Sequence, residues 1–253
     1  MGRGPVMANK KAASALQKGK IYGMHSKLIA VAAKGGANPL ENPTLFTAIE
    51  KAKKDSVPKD VIDKAIRRGA GLDKDAAAIE DIIYEGMAAG GVGIIVRALT
   101  DNRNRTASSF RSYFNKNGGN LGETGSLSNH MFKYRGVFVI PTNVITEEQI
   151  IESGCDDYIV EGDETRLLCM REQFSSVTQF LKGANIDVTS SGFEYLPNME
   201  IEVTDFEQGV KVMKLLQDLD EDDDVEKVWT NGVFDDILRE KIESFLDSNG
   251  FRS

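Results

Sequence analysis

The spacing of apolar residues changes once along the chain, near residue 72, and this change divides the sequence into two kinds of structure. Before it, apolar residues recur at helical spacing, as in Leu45, Ile49 and Ala52. After it, short apolar runs typical of strands alternate with helical stretches. The sequence therefore predicts an α+β protein whose N-terminal region is helical.

After residue 72 the elements group into two α/β units and a remainder. Two strands, a helix and a third strand are expected between residues 82 and 134, and a second unit of the same kind begins at Gly136. A helix at 206–219 and a strand at 225–230 remain, which are too few for a domain. We expect them to return to the first sheet, because domain insertion at an exposed loop is well tolerated.

The fold prediction is a helical N-terminal domain followed by two ferredoxin-like α/β domains, of which the middle one is discontinuous. The second α/β unit is inserted into the first and carries much of the acidic charge. The expected segments are a basic helical domain (1–71), a discontinuous α/β domain (79–135 plus 205–234), an inserted acidic α/β domain (136–204) and a C-terminal helix (235–253).

Net charge changes sign along the chain. Residues 1–71 contain 14 Lys and Arg against 5 Asp and Glu, residues 136–253 contain 9 against 27, and the whole chain has a net charge of −8. A basic end joined to an acidic body indicates contact with a polyanion, and ordinary solvated surfaces are the alternative. On the first interpretation we expect phosphate contacts at Lys10, Lys11, Lys18, Lys20, Lys27, Lys53, Lys54, Arg67 and Arg68.

The polar segment 99–126 suggests a second phosphate-binding patch. Its helix carries Arg103 and Arg105 in the first turn, where the helix dipole disfavours cations, so an external anion would stabilise them there. The alternative is that the two arginines pair with Asp101 or Glu123, and the sequence leaves both interpretations open. The patch would comprise Arg103, Arg105 and Lys116.

No catalytic or metal-binding motif accompanies these basic residues. The acidic run 218–226 lacks the glycine and glutamate spacing of a calcium-binding loop, and we interpret it as a solvated loop between a helix and a strand. The two histidines and two cysteines lack ligand spacing, so we expect structural histidines, buried reduced thiols and no metal or cofactor. Enzyme nucleophile motifs are also missing, and we expect a non-enzymatic protein.

The sequence also bears on location and assembly. No apolar run approaches the roughly 18 residues that a membrane span needs, and the N-terminus lacks the apolar core of a signal peptide. We therefore expect a cytoplasmic protein without membrane contact. We also expect a monomer, because the sequence contains no heptad seam and no long exposed apolar strand.

Several long motifs resemble the YebC/PmpR family, over roughly residues 19–136. They read AAKGGANP, VPKDVIDKAIRRG, YEGMAAGGVGIIV, LTDNRNRTAS and KNGGNLGETGS. The resemblance implies three domains, a helical one and two α/β ones, with the middle one discontinuous. It also implies nucleic-acid binding, because family members are described as DNA-binding transcriptional regulators or as translation factors acting on the ribosome. Mitochondrial relatives are translational activators of cytochrome c oxidase.

Three hypotheses of function follow. The leading one is a nucleic-acid-binding regulator of gene expression that acts on DNA or ribosomal RNA, with the ribosome as a candidate partner. The second is a protein-interaction adaptor whose acidic third domain binds a basic partner. The third is an enzyme that uses Asp101, Arg103 and Arg105 on a phosphorylated substrate.

Overall fold

The computed structural model describes the backbone of residues 4–73 and 75–250, and the side chains of residues 17–73 and 75–250. It confirms the expected α+β class with a helical N-terminal region. In chain order the elements are α1 (Gly4–Ala33), α2 (Pro43–Lys54), α3 (Lys59–Gly69), β1 (Glu80–Met87), β2 (Gly93–Thr100), α4 (Arg103–Lys116), β3 (Asn120–Leu121), β4 (Phe132–Pro141), α5 (Glu147–Ser153), β5 (Asp157–Glu161), β6 (Glu164–Cys169), α6 (Phe174–Gly183), β7 (Ser190–Pro197), β8 (Ile201–Glu202), α7 (Phe206–Glu221), β9 (Val225–Thr230), β10 (Gly232–Val233) and α8 (Asp236–Ser248).

The N-terminal region packs α2 and α3 against the C-terminal half of α1. Its core is formed by residues at helical spacing, among them Ile29, Leu45 and Ile62. Asn42 fixes the turn before α2, since its Oδ1 accepts the Leu45 N–H at 3.1 Å while its Nδ2 donates to the Ala32 carbonyl at 2.8 Å. The lysines of α2 are left on the outer surface.

The first sheet has the order β3-β1-β2-β9 and is antiparallel. One face is covered by α4 and α7, with Phe110, Phe114 and Leu215 in the core, and α8 packs against α7 through Ile242. Strand β9 follows residues 132–203 in the chain and pairs with β2. The hairpin of β1 and β2 therefore lies at the centre of this sheet, which differs from the ferredoxin-like strand order.

The second sheet has the order β5-β6-β4-β7 and is also antiparallel. Its β-α-β-β-α-β element order, with the first strand inside the sheet, is ferredoxin-like. Helices α5 and α6 cover one face of it, over Phe138, Ile140 and Leu167. The closing strand of this unit is β7.

The expected boundary between residues 135 and 136 falls inside a single strand, β4. Gly136 lies within β4, where it pairs with Cys169 on one side and Phe193 on the other. A Cβ added at Gly136 would lie 2.7 Å from the Cys169 sulfur and 2.7 Å from the Phe174 ring. The glycine therefore makes room for side-chain packing over a central strand, and it does not mark a break between units.

Side chains of β7 and β9 join the two sheets. Lys227 Nζ donates to Glu194 Oε1 at 2.7 Å, and Arg166 Nη2 donates to the other oxygen of Glu194 at 2.6 Å. The rings of Tyr195 and Trp229 meet edge to face with centroids 5.1 Å apart. The short strands β8 and β10 pair in parallel beside this junction. Within the described residues, no helix is long and apolar enough to cross a membrane.

The packing of α1 against α3 depends on a close approach at Gly69. A Cβ added there would lie 2.1 Å from the Ala30 carbonyl oxygen of α1. We expect Gly69→Ala to force the two helices apart and to lower the free energy of unfolding by about 1–3 kcal/mol, measured by urea denaturation. Gly23→Ala is the control, because open space surrounds Gly23 on α1 and alanine favours a helix. Equal stability of the two variants would contradict this packing.

Candidate nucleic-acid interface

The carboxylate of Asp224 joins α1, α4 and the turn before β9. Lys27 Nζ of α1 donates to Asp224 Oδ1 at 2.7 Å and to the Asp223 carbonyl at 2.8 Å. Arg105 Nη2 and Thr106 Oγ1 of α4 donate to Asp224 Oδ2 at 3.0 and 2.8 Å. The Asp224 side chain is 10% exposed. A nearly buried acid is therefore neutralised by cations from two helices that lie far apart in the chain.

The surroundings of Asp224 keep it ionised. Burial by itself would raise the pKa of the Asp224 carboxyl, but the hydrogen bonds from Lys27, Arg105 and Thr106 outweigh burial and lower that pKa to about 2. Asp224 is therefore a carboxylate throughout the physiological pH range. Its negative charge compensates the positive charge of Lys27 and Arg105.

The rest of the acidic run 218–226 makes similar contacts. Asp220 accepts from Lys20 of α1 through its carbonyl, with the carboxylate of Asp220 3.6 Å from the same ammonium group. Asp222 accepts from the Tyr113 hydroxyl at 3.0 Å, and Asp218 accepts from Asn117 Nδ2 at 2.8 Å. The interpretation of this run as a solvated loop is wrong, because its oxygens bind donors on α1 and α4.

A cleft of about 960 Å³ opens between α1, α4 and the acidic run. Gly19 and Gly23 of α1 line one wall, so the backbone of that helix borders the cleft. Lys20, Lys27 and Arg105 supply positive charge to its walls, and Asp101 and the 222–224 turn supply negative charge. The cleft carries both charge signs and is not a purely cationic groove.

Asp101 forms a second bridge, between α3 and α4. Arg68 Nη2 lies 3.1 Å from Asp101 Oδ2, and Arg105 Nη2 lies 3.2 Å from Asp101 Oδ1. The hydrogen bond from Arg68 is the main cause that lowers the pKa of Asp101, and the charge of Arg105 adds to it. For Arg105 the structure therefore supports the local-pairing interpretation, with Asp101 and Asp224 as partners. Asn102 caps α4, with its Oδ1 accepting the Arg105 N–H at 3.1 Å.

The twelve residues expected to bind phosphate fall into three groups. The side chains of Lys10 and Lys11 lie outside the described residues. Lys20, Lys27, Lys53, Arg68, Arg105 and Lys116 each pair with a carboxylate of the chain. Within the described part of the chain, the exposed side chains of Lys18, Lys54, Arg67 and Arg103 form no ion pair.

Glu85 of β1 is a structural residue that the sequence analysis missed. Its buried carboxylate accepts the N–H groups of Gly125, Leu127 and Ser128 at 2.8, 2.6 and 2.9 Å, and the Ser128 hydroxyl at 2.7 Å. Burial opposes ionisation, but these donors lower the pKa of Glu85 below its usual value. The polar ETGSLS segment is thereby held against β1. An acid within the mostly apolar part of β1, residues 82–87, was the available signal.

His25 and the two cysteines contribute to the packing of the fold. His25 Nε2 of α1 lies 2.6 Å from Asp55 Oδ2, just after α2, and so ties these two helices together. Cys155 and Cys169 are free and buried, as expected. Burial raises the pKa of the Cys169 thiol to about 11, so this sulfur is protonated at neutral pH.

The fold and the acidic run define an α+β protein in which a basic helical region is held against an acidic turn. Two family models match the chain, one described as the TACO1/YebC protein N-terminal domain over residues 5–72 and one as the TACO1/YebC second and third domain over residues 79–232. The chain belongs to the TACO1/YebC family, which confirms the resemblance found in its motifs.

Relatives of similar length share most of the sequence. A protein named probable transcriptional regulatory protein from Clostridioides difficile is 43% identical over 241 residues, covering 91% of this chain and 98% of the relative. A protein of the same name from Streptomyces avermitilis is 38% identical over 241 residues, covering 93% and 96%. The crystal structure of a conserved hypothetical protein from Aquifex aeolicus matches with a TM-score of 0.76 and 37% identity, covering 87% of this chain and 92% of that one.

The lowered pKa of Asp224 predicts a pH-dependent contribution to stability. An acid whose pKa is lower in the folded state stabilises the fold above its unfolded pKa, usually 3.8, and loses that effect as the pH falls to its folded pKa, about 2. We expect Asp224→Asn to remove about 2 kcal/mol of this pH-linked stabilisation at pH 7. The difference in free energy of unfolding between wild type and variant should shrink between about pH 4 and pH 2, measured by urea denaturation at each pH.

Asp220→Asn is the matched control, because the Asp220 side chain is 88% exposed. It should change stability little at any of these pH values. A difference between wild type and Asp224→Asn that stays constant with pH would contradict an ionised, charge-paired Asp224.

Proposed function

We propose that this chain is a non-enzymatic, nucleic-acid-binding regulator of gene expression. The regulatory role is supported by its relatives, which are named probable transcriptional regulatory proteins. The nucleic-acid role rests on one observation, which is the set of exposed cations, among those predicted to bind phosphate, that form no ion pair within the described residues. Lys18, Lys54, Arg67 and Arg103 form this set, which we call the open cations.

Two contacts link the elements that carry the open cations. The Arg68–Asp101 ion pair links the end of α3 to the start of α4, and so brings the neighbouring Arg67 and Arg103 into one region. Lys18 lies seven residues before His25, on the same face of α1. Because His25 contacts Asp55, the preceding Lys54 lies near that face as well. Cations grouped on a surface in this way attract a phosphate backbone.

The paired cations have other roles in this proposal. Lys20 and Lys27 position α1 on the acidic run, so in this proposal they make no direct phosphate contacts. Lys53 and Lys116 pair at the surface, where ion pairs contribute little, so both can exchange their partner for a phosphate. Lys10 and Lys11 remain phosphate contacts proposed from the sequence alone.

The chemistry favours recognition by charge and shape, on DNA or on structured RNA. Contacts from lysine and arginine to phosphates set affinity and orientation, and they carry no sequence information. In the enzyme hypothesis Asp101 would act on the substrate, but contacts with Arg68 and Arg105 lower the pKa of Asp101 and so make it a weak general base. That arrangement argues against the enzyme hypothesis.

The proposal predicts the salt dependence of binding. Each lost phosphate contact should reduce the slope of log K against log salt by about 0.9 for duplex DNA or about 0.7 for a single strand. A variant without the open cations should bind nucleic acid more weakly, and its slope of log K against log salt should be smaller by about 3 units. This variant combines Lys18→Gln, Lys54→Gln, Arg67→Gln and Arg103→Gln. Fluorescence anisotropy with labelled duplex DNA and with a ribosomal RNA fragment measures both quantities and shows which nucleic acid binds more tightly.

The matched control changes four exposed cations elsewhere by the same net charge. These cations lie in the acidic half of the chain, and the control variant combines Arg171→Gln, Lys182→Gln, Lys211→Gln and Arg239→Gln. We expect this variant to keep the wild-type slope to within about 1 unit. If the two variants change the slope equally, overall charge and not the open cations determines binding. If wild type binds neither probe, the proposal is wrong.

A further inference from the structure

Strand β5 forms an exposed edge of the second sheet. It pairs with β6 on one side and lies at the end of the strand order, so no described strand covers its other side. All five residues of β5 are exposed, including the large apolar side chains of Tyr158 (38%), Ile159 (40%) and Val160 (55%). Exposed apolar edge strands are templates for pairing with another chain, and natural proteins usually protect them.

The backbone of β5 presents hydrogen-bonding groups to this open side. The β5–β6 hairpin turns through Gly162 and Asp163, and Glu161 pairs with Glu164 on either side of the turn. In an antiparallel hairpin with a two-residue turn, the pair next to the turn is hydrogen-bonded and the pairs then alternate. The N–H and C=O groups of Tyr158 and Val160 therefore point away from β6. On this side the Tyr158 N–H donates to Asp157 Oδ1 at 2.8 Å, a contact that an added strand would replace.

A small pocket lies beside the edge, between β5 and α5. It has a volume of about 200 Å³ and is lined by Tyr158 and Val160 of β5 and by Ile145, Glu147 and Ile150 of the α5 region, among others. The Tyr158 hydroxyl donates to Glu147 Oε1 at 2.8 Å, which fixes one wall of the pocket. Strand addition usually combines main-chain pairing with pockets for alternate side chains of the added strand. The pocket offers such a position for an apolar side chain.

The charged residues around β5 determine which kind of chain can bind at this edge. Residues 141–165 contain eight Asp and Glu and no Lys, Arg or His. Of these acids, Asp156 pairs with Arg135, and Glu161 lies 3.6 Å from Arg166. Antiparallel pairing with β5 of a second copy would bring Asp157 close to Glu161 of that copy, and facing like charges are destabilising. The edge therefore favours a basic occupant over a second copy of this chain.

From these observations we infer that β5 binds a basic, extended segment of a partner protein, which adds to the second sheet as a fifth strand. Main-chain hydrogen bonds form at Tyr158 and Val160, an apolar side chain of the partner enters the pocket beside α5, and basic side chains meet the surrounding acids. This site is separate from the open cations and does not depend on the proposed nucleic-acid binding.

A defined peptide tests the inference on the whole wild-type chain. The probe is a labelled heptapeptide in which lysine alternates with valine, and its control is a peptide of the same composition with the valines grouped together. We expect the alternating peptide to bind at least about tenfold more tightly by fluorescence anisotropy, because only alternation places its valines on one face of a strand. Equal binding would show that charge alone attracts the peptide and would overturn the inference.

Two further peptides test the hydrogen bonds without altering the protein. One carries N-methyl groups on the valine amides and the other on the lysine amides. Because alternate amides of a strand point to opposite sides, only one of the two should lose binding, again by at least about tenfold. In the complex, the amide protons of Tyr158 and Val160 should exchange more slowly with solvent. Equal loss for both peptides, or unchanged exchange at these amides, would contradict strand addition.

A substitution in β5 tests whether the alternating peptide binds at this edge. Val160→Lys places a positive charge on the edge and should weaken binding of the alternating peptide at least about tenfold. Met199→Lys is the matched control, since Met199 is an exposed apolar residue outside this edge, and it should bind the peptide as wild type does. Both variants should bind nucleic acid like wild type, so failure here leaves the proposed function intact. Equal peptide binding by the two variants would place the peptide elsewhere.

Discussion

The carboxylate of Asp224 links parts of the protein that are far apart in the sequence. Its oxygens accept hydrogen bonds from Lys27 of α1 and from Arg105 and Thr106 of α4. Removing one partner of a buried charge pair is strongly destabilising, because the other charge is left without compensation in a poorly solvated place. The direction in which α1 crosses the rest of the protein therefore depends on this carboxylate. Apolar packing of α1 around Ile79 and Leu99 then completes the contact.

This arrangement explains why the charge of the chain is so uneven. The acidic run neutralises the lysines of α1 that face the α/β part of the protein, and it leaves cations on the outer surfaces of the helices exposed. A basic helical region is thereby fixed to an acidic body without losing all of its positive surface. In the proposed function, this separation of charge lets one part of the chain hold phosphates while the acidic part opposes indiscriminate binding to polyanions.

Local signals in the sequence predicted many elements well, because those signals act over a few residues. Leu45, Ile49 and Ala52, which recur at helical spacing, form the buried face of α2, and β9 has the expected bounds of 225–230. The role of the acidic run was not predictable in this way, because Lys20 and Asp220 are 200 residues apart and nothing local links them. The boundary predicted at Gly136 falls inside a strand because the sequence alone does not distinguish two roles of glycine. One kind of glycine makes room for a packed ring, and the other ends a strand or helix.

The double-mutant cycle of Lys27→Met and Asp224→Asn is the most direct measurement of the central contact. It compares the free energy of unfolding of wild type, the two single variants and the double variant at neutral pH. If Asp224 fixes α1 through Lys27, the two changes should be coupled by about 1–3 kcal/mol, with the double variant less destabilised than the sum of the single ones. Additivity to within about 0.5 kcal/mol would show that the two groups do not depend on each other and would contradict this account.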